Sequence, residues 1–360
     1  MAKPRLVAAV LALSAAFAAT GVHQGHEYTT TSSASVAPRA YVVGKTGLVQ
    51  VVDTRSGTVL AQADTGGQAT GVAVSPDGQR LYVINGWTGA ITVVDPHSGA
   101  ILDRIFTQVQ LSHAAMRPDG QRLYVSASGG VAVVDPENFR LVAAIKVPGQ
   151  PQGLVVHPNN QVLYVANAQD GTVGIVDTAT AFQTSTVQVG GLPQFVAISP
   201  DGTRLYVSRM RLGEKTPGTL SVIDTATNKV VGSMDVGRGA GSIAVTSDGA
   251  TVYLTLPKEG SVLIIDAASL AVRERLPLDT ASVAIAPGDP RVFFATGPTT
   301  TVLDSSNAVL ATYRMKSGEL EEARPRQFDA AMIAFPSGQP TATGSRISSS
   351  QSSKSSTGSS

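Results

Sequence analysis

Between Pro38 and about Pro340 one short pattern returns seven times, and this return restricts the fold more than any other property of the chain. An apolar-aromatic-apolar run appears as AYVVG at 40, LYVIN at 81, LYVSA at 123, LYVAN at 163, LYVSR at 205, VYLTL at 252 and VFFAT at 292. A second run follows each time and ends in aspartate, at Asp53, Asp95, Asp135, Asp177, Asp224, Asp266 and Asp304. The aspartates are 42, 40, 42, 47, 42 and 38 residues apart. A period near 40 is the signature of a solenoid or a propeller.

Each unit reads as four short strands separated by Gly, Pro, Asn or Asp turns, for example RLYVIN, AITVVD, AILDRI and HAAM. The first three kinds of strand are almost continuously apolar, as expected where both faces are covered by neighbouring sheets. The fourth alternates, as in AVRERL with Arg273 and Arg275, and reads as a solvated outer edge. Composition agrees: 42% hydrophobic, 15% charged, 36 Gly and 20 Pro suit many strands and tight turns. The expected fold is all-β, a seven-bladed β-propeller of four-stranded antiparallel blades. The chain enters at the AYVV strand and so lacks the innermost strand of its first blade, whereas FDAAMIAFPSG near the carboxyl end has that strand's pattern and no outer strands after it. The ring is therefore expected to close by pairing of residues 330–335 with the first blade.

The runs TLSVIDTATNKVVGSMDVG (219–237) and SPDGTRLYVS (199–208) resemble the YVTN-family β-propeller repeat, and the resemblance extends over about 300 residues. The Asn that closes the family's motif stands at Asn85 and Asn167, while Gly44, Ala127, Arg209, Leu256 and Thr296 take its place elsewhere. The resemblance implies exported or surface-layer proteins of bacteria and archaea, most of them without an assigned reaction.

The ends have a different character. Residues 1–19 carry Lys3 and Arg5, an apolar run from Leu6 to Ala19 and an A-x-A triplet at 16–18, the grammar of a secretory signal peptide. The apolar run of 14 residues is shorter than the roughly 20 that span a bilayer as a helix. A periplasmic or secreted, monomeric protein with no transmembrane segment after cleavage is expected. Residues 20–38 and 341–360 are Ser/Thr-rich and are expected to stay disordered around a propeller of 39–340. His23 and His26 form an H-x-x-H pair in the first of these segments, where histidines are usually solvated.

The absence of cysteine excludes disulfides, thiolate metal sites, attached c-type haem and a cysteine nucleophile. The net charge of +1, or −1 without Lys3 and Arg5, offers no basic surplus for nucleic acid. No cofactor and no metal are expected. A group that recurs in every blade is structural, because one ligand breaks the sevenfold repeat. By that test the seven aspartates hold turns, and the series Tyr41, Tyr82, Tyr124, Tyr164, Tyr206, Tyr253 and Phe293 packs between blades.

In a four-strand meander the first and third links share one face and the second and fourth share the other. The first face has near-constant turns such as Ser75-Pro76-Asp77-Gly78, and the second has variable loops, where binding usually resides. Trp87, the chain's one tryptophan, sits on a variable loop, either as a contact residue or as a lid over a neighbouring blade. The fifth blade's link is five residues longer than the second's and carries Arg209 and Arg211; Arg209 either reaches the channel mouth or makes a surface ion pair. The innermost strands start at Thr70, Ser112, Gln152, Gln194, Gly241, Ala281 and Ala330, a hydrogen-bonding ring flanked by His113, Arg238, Arg326 and Asp329. His97 and His157 fall on the opposite face. His113 is read either as functional or as a satisfied core histidine.

The candidate ligand- or partner-binding residues are thus Trp87, His113, Gln152, Gln194, Arg209, Arg211, Arg238 and Asp329, with no catalytic residue assigned. Two functions are compatible with them: an exported scaffold that binds a partner protein, glycan or small ligand, or a lactonase-, lyase- or glycoside-hydrolase-like enzyme with its pocket at the channel mouth. A redox-complex subunit has no cofactor-attachment motif to support it.

Overall fold

The computed structural model describes residues 10–14, 39–44, 46–53, 58–210, 217–280, 282–285, 291–296, 299–315 and 320–322. The strands assemble into seven antiparallel sheets in chain order. The first blade is β1 to β4 (Val10–Ser14, Arg39–Val43, Leu48–Asp53, Val59–Asp64), and the second is β5 to β8 (Ala69–Val74, Leu81–Asn85, Ala90–Val94, Ile101–Phe106). The third is β9 to β12 (Leu111–Met116, Leu123–Ala127, Gly130–Asp135, Arg140–Lys146), and the fourth is β13 to β16 (Pro151–Val156, Val162–Asn167, Thr172–Asp177, Phe182–Gln188). The fifth is β17 to β20 (Leu192–Ile198, Arg204–Met210, Gly218–Asp224, Lys229–Gly237), and the sixth is β21 to β24 (Ile243–Val245, Thr251–Leu256, Ser261–Asp266, Val272–Leu276). The seventh is β25 to β28 (Ser282–Ile285, Val292–Thr296, Thr299–Leu303, Val309–Met315), with a short fifth strand, β29 (Leu320–Glu322), paired to β28. No described residue is helical, and no helix is long and apolar enough to cross a membrane.

The innermost strands neighbour one another in the order β5, β9, β13, β17, β21, β25, β1 and back to β5, which closes a ring. The protein is a seven-bladed β-propeller. Its innermost first-blade strand, however, is β1, from residues 10–14, paired in register with β2 (Ala12 opposite Tyr41). The slot expected for 330–335 is therefore held by a segment read from sequence as leader, and residues 330–335 lie outside those described. An apolar run that suits the centre of a signal peptide also suits a strand covered on both faces, so composition did not separate the two roles.

Seven apolar clusters hold the ring, each between two adjacent blades. Tyr41 packs with Leu81 and Val83 between the first and second blades, Tyr82 with Leu123 and Val125 between the second and third. Phe293 packs with Ala40 and Val42 between the seventh and first. The remaining aromatics, Tyr124, Tyr164, Tyr206 and Tyr253, do the same at the four other interfaces. Second and third strands are therefore covered on both faces: every residue of β6 and β7 is buried, which is why these runs lack the alternation of a half-buried strand. Fourth strands are exposed at nearly every position, as β8 and β12 show.

Tyrosine hydroxyls add a polar pin to the packing. Tyr82 donates to the Pro136 carbonyl at 3.2 Å, and Tyr206 to that of Ala267 at 3.4 Å; each acceptor follows the turn aspartate of the next blade. Arg80 and Arg204 reach the same two carbonyls at 2.6 Å. Tyr253 donates to Asn307 Oδ1 at 2.7 Å.

The turn aspartates do what the repeat argument assigns them. Asp95 accepts from the His97 amide and the Ser98 hydroxyl, Asp224 from the Thr227 amide and hydroxyl, and Asp304 from Ser306 and Ala308. Hydrogen bonds that favour the ionised form hold six of these carboxyls below the usual aspartate range: from Ser98 to Asp95, Asn138 to Asp135, Thr180 to Asp177, Thr227 to Asp224, Ser269 to Asp266 and Ser306 to Asp304. As pH falls, the unfolded chain, with ordinary aspartates near about 3.9, takes up protons before the folded one does. Stability is therefore expected to be flat from about pH 7 to 5 and to fall below about pH 4 as the folded values are approached. Urea midpoints at pH 7, 5 and 3 check this, and an unchanged midpoint at pH 3 contradicts it.

Candidate functional site

The face with the turns at Asp77, Asp95, Asp201 and Asp224 is nearly uniform from blade to blade. On it His97 lies 3.4 Å from Asp95, and His157 Nε2 lies 3.1 Å from the Gly202 carbonyl while its Nδ1 accepts the Asn159 amide. Both histidines are turn fastenings, on the face the sequence placed them.

On the opposite face the loop between β6 and β7 is fastened at both ends. The Gly86 amide donates to the Gln68 carbonyl at 3.0 Å, and the Gly86 carbonyl accepts the Leu111 amide at 3.1 Å. The Gly89 carbonyl accepts both the amide and the hydroxyl of Thr107. A Cβ on Gly86 would stand 2.6 Å from the Leu111 carbonyl, so glycine is what lets the loop settle against the start of β9. Trp87 stands between these anchors with 74% of its surface exposed, so its side chain faces mainly solvent. Asn85, at the base of the loop, is buried and donates to the Gly66 carbonyl at 2.7 Å while accepting from Thr92 at 3.0 Å. The motif Asn thus ties its own blade to the link arriving from the previous one.

Around the channel mouth the expected ring is divided in two. Thr70 donates to the Leu111 carbonyl at 3.4 Å and Ser112 to that of Pro151 at 3.4 Å, so these hydroxyls stitch adjacent innermost strands together. Gln152 and Gln194 are half-buried, and among the described residues neither amide side chain has a hydrogen-bond partner. Ala281 and Ala330 lie outside the described residues.

His113, on β9, meets Phe195, on β17, edge to face at 5.3 Å between ring centroids. These strands belong to the third and fifth blades, which are not adjacent, so the rings meet inside the channel across β13. Gly153 on β13 allows this convergence, because a Cβ there would stand 2.6 Å from the Gln194 carbonyl and 2.9 Å from Phe195 Cα. His113 Nδ1 is sealed from solvent and has no hydrogen-bond partner among the described residues, and burial pushes the imidazole down to about 4, so it is neutral near pH 7. Phe195 was missed in the sequence, although it is the one aromatic residue in the described innermost strands.

Two of the charged candidates, Arg209 and Arg238, are among the described residues. Arg209 directs Nη2 to Ser233 on the outer strand β20 at 3.3 Å, so its side chain runs outward along the blade and not into the channel. Arg238 is exposed, and Glu259 accepts its backbone amide at 2.5 Å as well as Arg275 Nη1 at 2.6 Å. Those bonds, with the Arg238 amide first, hold the Glu259 carboxyl below its usual range. Arg211, Arg326 and Asp329 lie outside the described residues. Among the described residues no three His, Asp or Glu side chains are grouped to hold a metal ion.

Fold and site together define a seven-bladed β-propeller with one near-constant face and one varied face around a polar channel mouth. No family model and no curated protein matches the chain. Solved structures do: it is similar to Kuenenia stuttgartiensis hydrazine synthase, with 26% identity and a TM-score of 0.61 over 66% of this chain and 76% of that one. It is also similar to a functionally unknown protein from Desulfotomaculum acetoxidans (16% identity, TM-score 0.64, 74% of this chain and 92% of that). A third likeness is to the β-propeller domain of Myceliophteria thermophila Cps50 (Swd1), at 11% identity and a TM-score of 0.62 over 75% and 91% of the two chains. The second and third likenesses concern the fold.

Proposed function

We propose that this is an exported propeller of the YVTN kind that binds a partner protein, glycan or small ligand on its varied face, with Trp87 as the anchor. The observation that carries the reading is an indole 74% exposed on a loop whose backbone is fastened on both sides. A large apolar group held out in water has no folding role to perform, and a rigid one loses little freedom on binding. The amides of Gln152 and Gln194, at the starts of β13 and β17 and without a hydrogen-bond partner among the described residues, are further polar groups of the channel mouth. Native mass spectrometry of the protein captured from the organism that makes it tests the reading: a bound species is expected with the wild type and absent with Trp87→Ala.

A second reading, an enzyme with its pocket at the channel mouth, is favoured by the unpartnered Nδ1 of His113 against Phe195. Turnover of lactones or glycosides by the wild type and its loss in His113→Gln is the result that supports it. No turnover, or turnover that survives the substitution, removes it.

A further inference from the structure

One corner of the second blade departs from the repeat in its chemistry. The residue at the end of the fourth strand, opposite the start of the third, is Asp64 in the first blade, Lys146 in the third and Gln188 in the fourth, but Phe106 in the second. The four-residue loop between second and third strands carries Gln169-Asp170 at its centre in the fourth blade and Lys258-Glu259 in the sixth, but Trp87-Thr88 in the second. At both places the second blade exchanges charged or amide groups for an aromatic ring. Phe106 is 63% exposed, and Val109 in the link that follows it is 39% exposed. Among the described residues these two and Trp87 are the large exposed apolar side chains of the varied face. The others stand at the starts of fourth strands, beside the near-constant face, as Ile101 and Leu102 do on β8.

The loop and the link are held together as one piece. The Thr107 hydroxyl donates to the Gly89 carbonyl at 2.9 Å and lies 3.2 Å from that of Val109, while Gly86 is bonded to both Gln68 and Leu111. The three connections that meet here, 65–69, 85–90 and 105–111, contain no charged residue. Asp64 and Arg104, which border them beside Gly66, are one of each sign. The exposed polar side chains of these connections include Gln68, Gln108 and Gln110, whose carboxamides have no hydrogen-bond partner among the described residues.

Area and charge state what such a corner accepts. A fully buried aromatic side chain covers about 150–250 Å2, so two of them at these exposures, with a valine, offer on the order of 300 Å2. A standard protein–protein interface takes about 800 Å2 from each partner. The smaller area matches a short run of pyranose rings, whose C–H faces are apolar and stack on aromatic side chains. Sugar hydroxyls both donate and accept, and a carboxamide offers donors and an acceptor without charge. The loops carry no charge to pair with an ionic ligand. We infer that the corner built by Trp87, Phe106 and Val109, with Gln68, Gln108 and Gln110 around it, is a subsite for a neutral glycan. The inference rests on the reading that the varied face binds through Trp87, and it names the class of ligand.

Trp87 is the chain's single tryptophan, so the indole fluorescence of the unlabelled protein reports on this corner. The probes are hexasaccharides of α- and β-linked glucose, of mannose and of N-acetylglucosamine, with oligogalacturonate as the charged control. At least one neutral hexasaccharide is expected to shift the emission to the blue, and oligogalacturonate is not. By calorimetry, Phe106→Ala is expected to weaken that binding about tenfold and Trp87→Ala about 30-fold. Leu102→Ala, at the other end of β8, is expected to leave it unchanged. Each of these side chains is exposed, so the melting temperatures of the variants should match that of the wild type. No shift with any neutral hexasaccharide, equal binding of oligogalacturonate, or binding undiminished by Phe106→Ala and Trp87→Ala overturns the glycan subsite. If a protein or another species is then still captured only when Trp87 is present, the varied face keeps its role and the glycan alone falls. If nothing is captured through Trp87, both fall.

Discussion

Tyr206→Ala is expected to lower the stability of the propeller by about 3–5 kcal/mol, the range found when a large buried aromatic is cut to alanine. Tyr206 has no exposed surface and packs with Leu220 of its own blade and with Leu254 and Leu263 of the next. Its hydroxyl also meets the Ala267 carbonyl, which Arg204 shares at 2.6 Å. Tyr206→Phe keeps the ring and removes only the hydroxyl, whose hydrogen bond is worth about 0.5–1.5 kcal/mol net. The two variants together separate packing from the polar pin. Urea unfolding measures both; because a whole domain is stable by only about 5–15 kcal/mol, the alanine variant should lose a large share of its midpoint. A loss under about 1 kcal/mol for Tyr206→Ala would show that cohesion between the fifth and sixth blades resides elsewhere.

The second large effect concerns binding and leaves stability alone. Trp87→Ala is expected to weaken capture of the natural partner by about 2 kcal/mol or more, roughly 30-fold, as truncation of a central tryptophan does in other interfaces. The stability of Trp87→Ala should stay within about 0.5 kcal/mol of the wild type, because a side chain 74% exposed buries little surface in the folded state. Trp87→Phe, with an aromatic ring but no indole N–H, should retain part of the affinity. If Trp87→Ala binds as the wild type does, the anchor lies elsewhere on the face, and the unpartnered amides of Gln152 and Gln194 are the next residues to change.

Much of this was legible before any coordinates. The aspartate at the end of each third strand and the aromatic in each second strand recur at a fixed interval, and a recurring residue can only perform a recurring task. Their roles as turn fastener and inter-blade packing follow from repetition, and the structure shows both. The two-face sorting was equally accessible, since a meander of four strands puts alternate links on opposite sides. The site was less legible. Arg209 sits where a strand ends, and its position said nothing about direction; the nearby Ser233 hydroxyl turns it outward. Phe195 looked like one more apolar residue in LPQFVAI, and its meeting with His113 depends on the curvature that brings non-adjacent blades across a channel.

What the sequence determined by itself is whatever depends on local period: seven blades, four strands in each, buried second and third strands, an exposed fourth, and the face on which the loops vary. Tertiary structure decided what depends on distance between residues remote in the chain. It turned the Thr70 and Ser112 hydroxyls to neighbouring strands while leaving the Gln152 and Gln194 amides without a partner among the described residues, it left Trp87 mostly exposed, and it put Val10–Ser14 in the innermost slot of the first blade. The physical reason is that hydrogen-bond period and apolar burial act between neighbours in a repeat and leave a printed pattern. Which segment takes a single slot leaves no such pattern, because an apolar run such as Leu11-Ala12-Leu13 reads equally as the core of a leader and as a buried strand.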